Sequence, residues 1–377
     1  MSEYRVMVIF GTRPEAIKMA PVIHLLQETE RIKTLVVVTA QHREMLDQVL
    51  ELFQIKPDYD LNIMEATQSL SDITVRVLKG LEEVIAGEKP DILLVHGDTS
   101  STFVAALAGF YSQIRVGHVE AGLRSHNKYS PFPEEINRHL TGVLADLHFA
   151  PTDRAKRNLL SENISQDRII VTGNTVIDAL FGVIDDNYCF ELPELKKIDY
   201  QHKKVVLMTA HRRENLGEGM ENIFRAVERL VREEEDLEVV FPVHLNPLVR
   251  EKAYTILGDL ERVHLLEPLD YLPFANLLAR SYLVLTDSGG LQEEAPSLGK
   301  PVLVMRDNTE RPEAVEAGTV KLLGTDREQI ISTVRKLLHD KRFYNSMAGA
   351  INPFGDGQAA KRIVDSLLDE FGLKEDI

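Results

Sequence analysis

The sequence alternates short, continuously apolar segments with longer segments of helical spacing, and this alternation limits the folds open to the chain. Residues 5–10 (RVMVIF), 91–95 (DILLV) and 204–210 (KVVLMTA) are examples of the apolar segments. Runs of this length are typical of parallel strands that helices cover on both faces, because such strands have no solvent-facing side. The pattern predicts an α/β fold with two doubly wound, Rossmann-like domains whose strand ends face a cleft.

Length and local composition suggest how the chain is divided. At 377 residues it exceeds one ordinary hydrophobic core, so two domains are expected. Residues 168–180 are predicted to form a loop, and the polar, aperiodic residues 185–203 indicate an inter-domain linker. We expect an N-terminal domain at 1–172, a C-terminal domain at 173–360, and a last helix within 361–377 that returns to the N-terminal domain.

Charge and cysteine content exclude several classes of function. The net charge is −16, from 43 basic and 59 acidic residues, which argues against a nucleic acid held through its phosphates. The single cysteine, Cys189, excludes an internal disulfide and a cysteine-rich metal site. No apolar run approaches the roughly 20 residues of a transmembrane helix, and the N-terminus MSEYRVMVIF lacks signal-peptide features. We therefore expect a cytoplasmic protein without membrane insertion.

The segment 285–296, LTDSGGLQEEAP, has the composition of an anion site. A short apolar run ends before Ser288, Gly289 and Gly290, which lead directly into a helical segment. Such a junction presents backbone N–H groups at a helix N-terminus, where the helix dipole favours a phosphate. Glu294, one turn later, has two acceptor oxygens that suit a ribose diol. Taken alone, the segment is better explained as a tight turn; together with the cations described next, it favours a nucleotide diphosphate.

Basic residues follow other apolar segments at corresponding positions. Arg13 and Lys18 flank the start of the first helix, His211 follows the first apolar segment of the second half, and Arg311 follows a later one. Parallel strands of one sheet end at the same edge, so such residues are expected to gather there. No G-x-G-x-x-G motif is present, so a dinucleotide fingerprint is absent. Arg13 and Lys18 alone are equally well explained as ordinary surface charges.

Three carboxylates are candidates for proton transfer. Asp98 and Glu120 follow neighbouring apolar segments and are expected at the same sheet edge as Arg13, and Glu134 lies at the start of a later helix. Helix caps and dipole partners are the common explanation for acids at such positions. Three acids also suit a hard metal ion. The spacing has no D-x-D ligand group, however, so we expect proton transfer and no metal.

Several long motifs, spread nearly end to end along the chain, resemble those of the non-hydrolysing bacterial UDP-N-acetylglucosamine 2-epimerases. They are GTRPEAIKMAPV (11–22), HGDTSST (96–102), HVEAGLRS (118–125), PFPEEINR (131–138), TAHRREN (209–215), PVHLNP (242–247), DSGGLQEEAPSLGKPVLV (287–304) and RPEAVEAGT (311–319). The resemblance implies a GT-B-like architecture, a homodimer, and interconversion of UDP-GlcNAc and UDP-ManNAc for cell-surface polysaccharide. It also implies that the reaction needs no nicotinamide cofactor and no essential metal.

The resemblance, carried over position by position, places catalytic acids in the N-terminal domain and UDP binding in the C-terminal domain. The substrate contacts are Arg13, Lys18, Asp98, Glu120, His211, Phe274, Ser288, Gly289, Gly290, Glu294 and Arg311. The catalytic residues are Asp98, Glu120, Glu134 and His211. A second, activating UDP-GlcNAc would contact Gln41, His42, Glu134, Arg212 and His244. Glu44 and Thr67 replace a Gln and an Arg of the family pattern, so we expect weak activation.

The implied reaction explains why several acids are needed. The hydrogen at carbon 2 of GlcNAc is not acidic, so the expected route is removal of that proton together with elimination of UDP to give 2-acetamidoglucal. UDP then adds back while carbon 2 is protonated on the opposite face, which requires acid–base groups that reach both faces. Cations and backbone amides would stabilise the charge on the leaving diphosphate.

Other functions share parts of this site. A hydrolysing epimerase that releases ManNAc and UDP uses the same groups, and a GT-B glycosyltransferase keeps the nucleotide site but requires an acceptor. A catalytically silent nucleotide-sugar sensor would have no need for three acids. A related UDP sugar, such as an N-acetylated 3-amino uronic acid sugar, also fits the motifs.

Overall fold

The structure is a computed structural model that describes residues 3–39, 43–64 and 68–373, without the side chains of residues 43 and 44. The chain forms two compact units. The first contains Met1–Gly182 and Phe354–Ile377, and the second contains Val183–Pro353. Each unit has one parallel sheet with helices between successive strands, which confirms the predicted doubly wound α/β fold.

In the described part of the first unit, seven parallel strands form the sheet in the order β3-β2-β1-β4-β5-β6-β7. The strands are β1 (Tyr4–Phe10), β2 (Ile32–Val38), β3 (Tyr59–Asp60), β4 (Ile92–His96), β5 (Arg115–Val119), β6 (Leu147–Ala150) and β7 (Ile169–Val171). The helices, numbered in chain order, are α1 (Arg13–Glu28), α2 (Arg43–Leu52), α3 (Leu70–Glu88), α4 (Ser100–Tyr111), α5 (Glu134–Leu144), α6 (Asp153–Ser161), α7 (Thr175–Val183) and α16 (Ala359–Glu370). The apolar run of β1 is buried from Val6 to Phe10, as expected of a central strand covered on both faces.

The second unit repeats this plan with the strand order β10-β9-β8-β11-β12-β13, again all parallel. Its strands are β8 (Lys204–Thr209), β9 (Leu237–Pro242), β10 (Val263–Leu266), β11 (Leu283–Thr286), β12 (Val302–Val304) and β13 (Val320–Leu322). Its helices are α8 (Pro193–Lys196), α9 (Glu218–Glu233), α10 (Pro247–Leu257), α11 (Tyr271–Arg280), α12 (Leu291–Ser297), α13 (Pro312–Glu316), α14 (Arg327–His339) and α15 (Lys341–Ala348). The core of this unit packs α9, α10 and α14 against the sheet through residues such as Phe224, Leu257 and Ile330.

Two segments differ from the sequence prediction. Residues 168–180 are not a loop, because they contain β7 and the start of α7. Residues 185–203 are not an inter-domain linker, because they belong to the second unit, where Phe190, Leu195 and Ile198 are buried. The guanidinium of Arg280 lies 5.0 Å from the ring centroid of Phe190. The apolar residues of this segment are irregularly spaced, so they give no periodic signal although they pack.

Contacts between α7 and α16 explain where the first unit ends. The carboxylate of Asp178 accepts hydrogen bonds from the backbone N–H groups of Ala359 (3.2 Å) and Ala360 (2.8 Å) at the start of α16. The ring of Phe371, just after α16, stacks on Tyr4 of β1 with centroids 4.3 Å apart. These contacts place the unit boundaries at 182/183 and 353/354, rather than at 172/173 and 360/361. None of the helices in the described residues is long and apolar enough to cross a membrane.

Candidate active site

The candidate residues gather at the point in each sheet where the strand order reverses. In the first unit β1 lies between β2 and β4, and in the second β8 lies between β9 and β11. Ligands of doubly wound folds bind outside the strand C-termini at such a switch point. Arg13 and Asp98 follow β1 and β4, and His211 and Ser288 follow β8 and β11. Each unit therefore brings two predicted site residues to its own switch point.

The turn between β1 and α1 is held by a buried carboxylate that the sequence analysis did not single out. Glu15 accepts hydrogen bonds from the backbone N–H groups of Gly11 (2.8 Å) and Thr12 (2.7 Å) and from the hydroxyls of Thr99 (2.6 Å) and Thr102 (2.9 Å). Burial raises the pKa of Glu15 above its ordinary value, although these hydrogen bonds oppose the shift. One side chain thus ties the turn after β1 to the turn after β4.

Arg13 is the first residue of α1 and is half-buried. Among the described residues, no carboxylate or carbonyl accepts a hydrogen bond from its guanidinium. A half-buried cation at a helix N-terminus, held by a fixed turn and without a protein counter-ion in the described residues, suits an anionic ligand.

Glu120 forms the centre of a buried polar cluster after β5. Lys18 and Asn174 both donate to its Oε1, the latter at 2.9 Å, and the Nε2 atom of His96 lies 3.6 Å from its Oε2. The backbone of Glu120 has φ of 63°, a left-handed conformation that is uncommon for a non-glycine residue and concentrates at functional sites. Burial lowers the pKa of His96 to about 4. Lys18, predicted as a phosphate contact, is therefore paired with a predicted catalytic acid in this structure.

Asp98 is oriented by α5. Its carboxylate forms an ion pair with Arg138 (2.6 Å), and its carbonyl accepts a hydrogen bond from Asn137 (2.9 Å). Arg138 also reaches the buried carboxylate of Glu135 at 3.2 Å. Glu134 begins the same helix and is half-buried, and no residue in the described part of the chain pairs with its carboxylate. The structure thus brings α5, with Glu134 at its start, against the turn that contains Asp98.

In the second unit, the turn after β11 presents backbone amides. The Ser288 N–H donates to the hydroxyl of Thr286 at 2.9 Å, whereas the N–H groups of Gly289 and Gly290 donate to no other described residue. A Cβ at Gly290 would lie 3.2 Å from Oε1 of Glu294, so a larger residue there would crowd the carboxylate predicted to bind the ribose. This arrangement suits recognition of a phosphate by main-chain donors.

His211 lies beside this turn. Its Nδ1 is 3.1 Å from Oδ1 of the fully buried Asp287, and its ring stacks on that of His244 with centroids 5.5 Å apart. Arg212 donates through Nε to the carbonyl of Asp287 at 3.2 Å. Two residues predicted for the activator, Arg212 and His244, therefore lie next to a residue predicted for the substrate.

Arg311 and Phe274 are the remaining candidate site residues in the described part of the second unit. Nε of Arg311 donates to the buried carboxylate of Glu293, and the Arg311 N–H donates to the hydroxyl of Thr309 at 3.0 Å. Phe274 is half-buried on α11. The predicted activator residues Gln41 and His42 lie outside the described residues, as do Thr67 and the side chain of Glu44.

Comparison with known proteins decides the family. The family model described as UDP-N-acetylglucosamine 2-epimerase matches residues 24–368. The chain belongs to the UDP-N-acetylglucosamine 2-epimerase family. The UDP-N-acetylglucosamine 2-epimerase of Bacillus subtilis is 58% identical over 376 residues, which cover 100% of this chain and 98% of that protein. The resemblance inferred from the motifs is thereby confirmed.

Two solved structures of similar proteins contain ligands. The UDP-GlcNAc 2-epimerase of Neisseria meningitidis, bound to UDP-GlcNAc, has a TM-score of 0.85 and 54% identity, covering 97% of this chain and 100% of that chain. The S. aureus MnaA structure with UDP has a TM-score of 0.87 and 53% identity, covering 98% of each chain. Both agree with the α/β fold of this epimerase-family chain.

The structure of this epimerase-family member adds residues that sequence reasoning missed. Glu15, Arg138, Asn174 and Asp287 contact predicted site residues or the turns that carry them. Glu15, Arg138 and Asp287 lie inside the quoted motifs, and an acid beside two glycines at a strand end was a signal for Asp287. Asn174 lies in the segment wrongly predicted as a loop, so no signal marked it.

Proposed function

We propose that the chain catalyses reversible epimerisation at carbon 2 between UDP-GlcNAc and UDP-ManNAc, by elimination of UDP and its re-addition, without hydrolysis. The observation that carries the proposal is the pair of carboxylates, Asp98 and Glu120, that follow neighbouring strands at the first unit's sheet edge, each held by a cation. Family membership supports the UDP-GlcNAc 2-epimerase activity.

The proposed chemistry leaves the atomic composition of the substrate unchanged, although the hydrogen at carbon 2 can exchange with solvent. A carboxylate takes the proton from carbon 2, the electrons of that C–H bond form a double bond between carbons 1 and 2, and the electrons of the bond between carbon 1 and oxygen leave with UDP. The reverse steps add UDP to carbon 1 while a second group protonates carbon 2 on the opposite face. Groups that act on opposite faces explain why Asp98, Glu120 and Glu134 are all proposed as catalytic.

In the proposed function, the second unit binds the nucleotide. The amides of Gly289 and Gly290, with Ser288, would bind the diphosphate, and Glu294 would bind the ribose. His211 and Arg311 would stabilise charge on the leaving group. Arg13 and Lys18 of the first unit are further proposed phosphate contacts, and Phe274 is the proposed neighbour of uracil.

Incubation with UDP-GlcNAc in deuterium oxide, followed by NMR, tests this proposal. We expect UDP-ManNAc to form and deuterium to appear at carbon 2 of both sugars, because the proton removed exchanges with solvent. Epimerisation that retains the original hydrogen would exclude elimination with proton exchange. Accumulation of free ManNAc and UDP would instead show a hydrolysing enzyme, and an inert mixture would show a different substrate or role.

We also propose weak activation by a second UDP-GlcNAc. Arg212 and His244 lie beside His211, but an acid at Glu44 and the loss of a guanidinium at Thr67 disfavour a second diphosphate. The rate is expected to rise almost hyperbolically with UDP-GlcNAc concentration. Strongly sigmoidal kinetics, with UDP-ManNAc inert until UDP-GlcNAc is added, would contradict this. We place the reaction in the cytoplasm, where it would supply ManNAc units for cell-surface polysaccharide.

We further propose that the protein is a homodimer, on the evidence of α5. The inner face of this helix is largely polar and buried, with Glu135, Asn137 and Thr141, whereas its outer face exposes Ile136, Leu140 and Val143 by 39%, 41% and 78%. This distribution reverses that of an ordinary surface helix. An exposed apolar stripe of this kind is typical of a protein interface.

Sedimentation of charged variants tests the dimer. Leu140→Glu and Val143→Glu should produce monomers, because burying an unpaired carboxylate in an apolar interface is costly. Val75→Glu, at an apolar residue of α3 that is 52% exposed, is the matched control and should remain a dimer. A monomeric wild-type protein, or dimers in both α5 variants, would reject this interface.

A further inference from the structure

Asp287 is a fully buried carboxylate whose two oxygens have different surroundings. Its Oδ2 accepts hydrogen bonds from the backbone N–H groups of His211 and Arg212, both at 2.8 Å, and from Nδ2 of Asn215 at 3.3 Å. Its Oδ1 accepts no hydrogen bond of good geometry from the described residues, and Nδ1 of His211 lies 3.1 Å from it. One oxygen therefore holds the main chain after β8, and the other faces the imidazole.

The charge of Asp287 governs where His211 carries its hydrogen. Burial by itself raises the pKa of Asp287, but the imidazole of His211 and the N–H groups of Arg212 and His211 outweigh it, so the pKa lies below its usual value. The side chain is therefore a carboxylate at neutral pH, and an acceptor at this distance favours a hydrogen on Nδ1. Nε2, on the opposite side of the ring, is left as the atom that can face a ligand.

The ring of His211 is also restrained in its plane. It stacks on His244 at an interplanar angle of 21°, and Nδ1 of His244 accepts the Asn246 N–H at 3.1 Å, which fixes the second ring in turn. The side chain of His211 is 34% exposed while that of Asp287 is 0% exposed. The imidazole thus has one buried, charged edge and one accessible edge.

We propose that Asp287 is a positioning residue for the epimerisation: it fixes the tautomer and orientation of His211 so that Nε2 is presented to the leaving diphosphate. The proposal rests on the proposed function, in which the electrons of the bond between carbon 1 and oxygen move onto that diphosphate. With a hydrogen on Nδ1 directed at Asp287, a further proton on the ring is carried by Nε2, which then donates to a phosphate oxygen. Without the carboxylate the ring can adopt the other tautomer, and Nδ1 no longer anchors it.

Asp287→Asn should reverse the preference of His211 for a hydrogen on Nδ1, with little change in the shape of residue 287. Its amide oxygen still accepts from the backbone N–H groups of His211 and Arg212, whereas its NH₂ group faces Nδ1 and requires that atom to accept. The variant is therefore expected to move the hydrogen of the neutral ring to Nε2, as happens when the carboxylate that orients a catalytic histidine is replaced by an amide.

NMR of protein labelled with ¹⁵N-histidine measures this directly. The chain has 12 histidines, and the spectrum of His211→Asn identifies the signals of His211 by their loss. In the neutral ring we expect the hydrogen on Nδ1 in the wild type and on Nε2 in Asp287→Asn. The same tautomer in both proteins would overturn the proposal, and this readout does not depend on activity.

A double-mutant cycle separates positioning from folding. Asp287→Asn should lower kcat roughly 10²–10⁴-fold, the range of a general acid–base group, and should cause little further loss when it is combined with His211→Asn. Asn276→Ser is the structural control: Asn276 is buried and donates to the carbonyls of Val183 and Leu272, and it forms no hydrogen bond with Asp287 or His211. It should lower the melting temperature and keep kcat within a few-fold.

The outcomes of the cycle are distinguishable from failure of the proposed function. If Asp287→Asn lowers kcat by the same factor in the wild-type protein and in the His211→Asn variant, its role is merely structural and the proposal is rejected. A wild type that is inert toward UDP-GlcNAc would reject the proposed function. The tautomer measurement would then still decide whether Asp287 orients His211.

Discussion

At the scale of single residues, the proposed acids are distinguished by what holds them. Asp98 is paired with Arg138 of α5, and Glu120 is paired with Lys18 of α1. Because their partners come from different helices, each carboxylate is oriented independently of the other. Asp98 is not the cap of α4, since that cap is Thr99, whose hydroxyl accepts the Thr102 N–H. Glu120 lies directly after β5, and the next helix, α5, begins only at Glu134.

Substitution of these acids should separate catalysis from binding. Asp98→Asn and Glu120→Gln keep shape and remove a proton acceptor, so turnover should fall roughly 10²–10⁴-fold. UDP affinity, measured by calorimetry, should stay within a few-fold, because the proposed diphosphate contacts are other residues. Glu51→Gln, an exposed acid of the same unit, is the control and should behave as wild type. Near-normal turnover in both variants would remove the acids from the mechanism.

At the scale of elements, Glu15 joins the turn after β1 to the start of α4 through hydrogen bonds. It completes a capping box with Thr12 at the start of α1, and it also binds Thr99 and Thr102 at the start of α4. A Cβ at Gly11 would collide with the hydroxyl of Thr39, so a larger residue there would force the turn or Thr39 to shift. The position of Arg13 is therefore set by contacts that Arg13 itself does not make.

Two substitutions of Glu15 should destabilise the protein to different extents. Glu15→Ala leaves buried donors unsatisfied, at roughly 1–3 kcal/mol each, and should lower the melting temperature strongly. Glu15→Gln should cost much less. Since the folded-state pKa of Glu15 is raised above 4.5, its contribution to stability is fully present below that pH and is lost as pH rises through the folded value. The melting temperature of Glu15→Gln relative to wild type should therefore improve with rising pH.

Thermal unfolding at several pH values measures both effects. Glu28→Ala, at an exposed residue of the last turn of α1, controls for loss of a glutamate from the same helix and should change the melting temperature little at any pH. A constant difference between Glu15→Gln and wild type across the pH range would contradict the raised pKa.

At the scale of the whole molecule, three buried histidines lie side by side on adjacent strands of the first sheet. His96, His118 and His148 belong to β4, β5 and β6 and are at most 2% exposed. Burial, as the largest cause, lowers their pKa values to about 4, about 3 and about 4. In the folded state they stay neutral at pH values at which the same histidines of the unfolded chain take up protons. The free energy of unfolding of the protein therefore depends on pH.

Stability should therefore fall as the solution is acidified. Above the unfolded pKa of 6.5 these histidines are neutral in both states; below it the unfolded state binds more protons, so the free energy of unfolding decreases toward the folded pKa values. Each histidine contributes a slope of up to about 1.4 kcal/mol per pH unit. Denaturant unfolding measured between pH 6.5 and 5 gives the free energy of unfolding at each pH. This free energy should change less per pH unit in His148→Leu than in the wild type. His202→Leu, at a side chain 79% exposed, should keep the wild-type slope, and an unchanged slope in His148→Leu would refute the assignment.

The sequence by itself determined the fold class and placed the candidate site residues after the predicted strands. Strand identity follows from continuous apolar runs, and parallel strands all end at one edge, so residues after those runs, such as Arg13, Asp98, His211 and Ser288, were predicted at strand C-termini. These inferences need only local composition and the period of each segment. The same local signal failed at residues 168–180 and 185–203, where short or irregular apolar residues are stabilised by packing rather than by period.

Only the tertiary structure decided which side chains are partners. Lys18 pairs with Glu120 across 102 positions, Glu15 with Thr99 across 84, and Asp287 with the Arg212 N–H across 75. These pairs depend on the order of strands in each sheet, which sets β1, β4 and β5 side by side and β8 beside β11. That order has no local signature in the sequence. A buried carboxylate must find donors wherever the topology places them, so its partners become known only when the sheet is assembled.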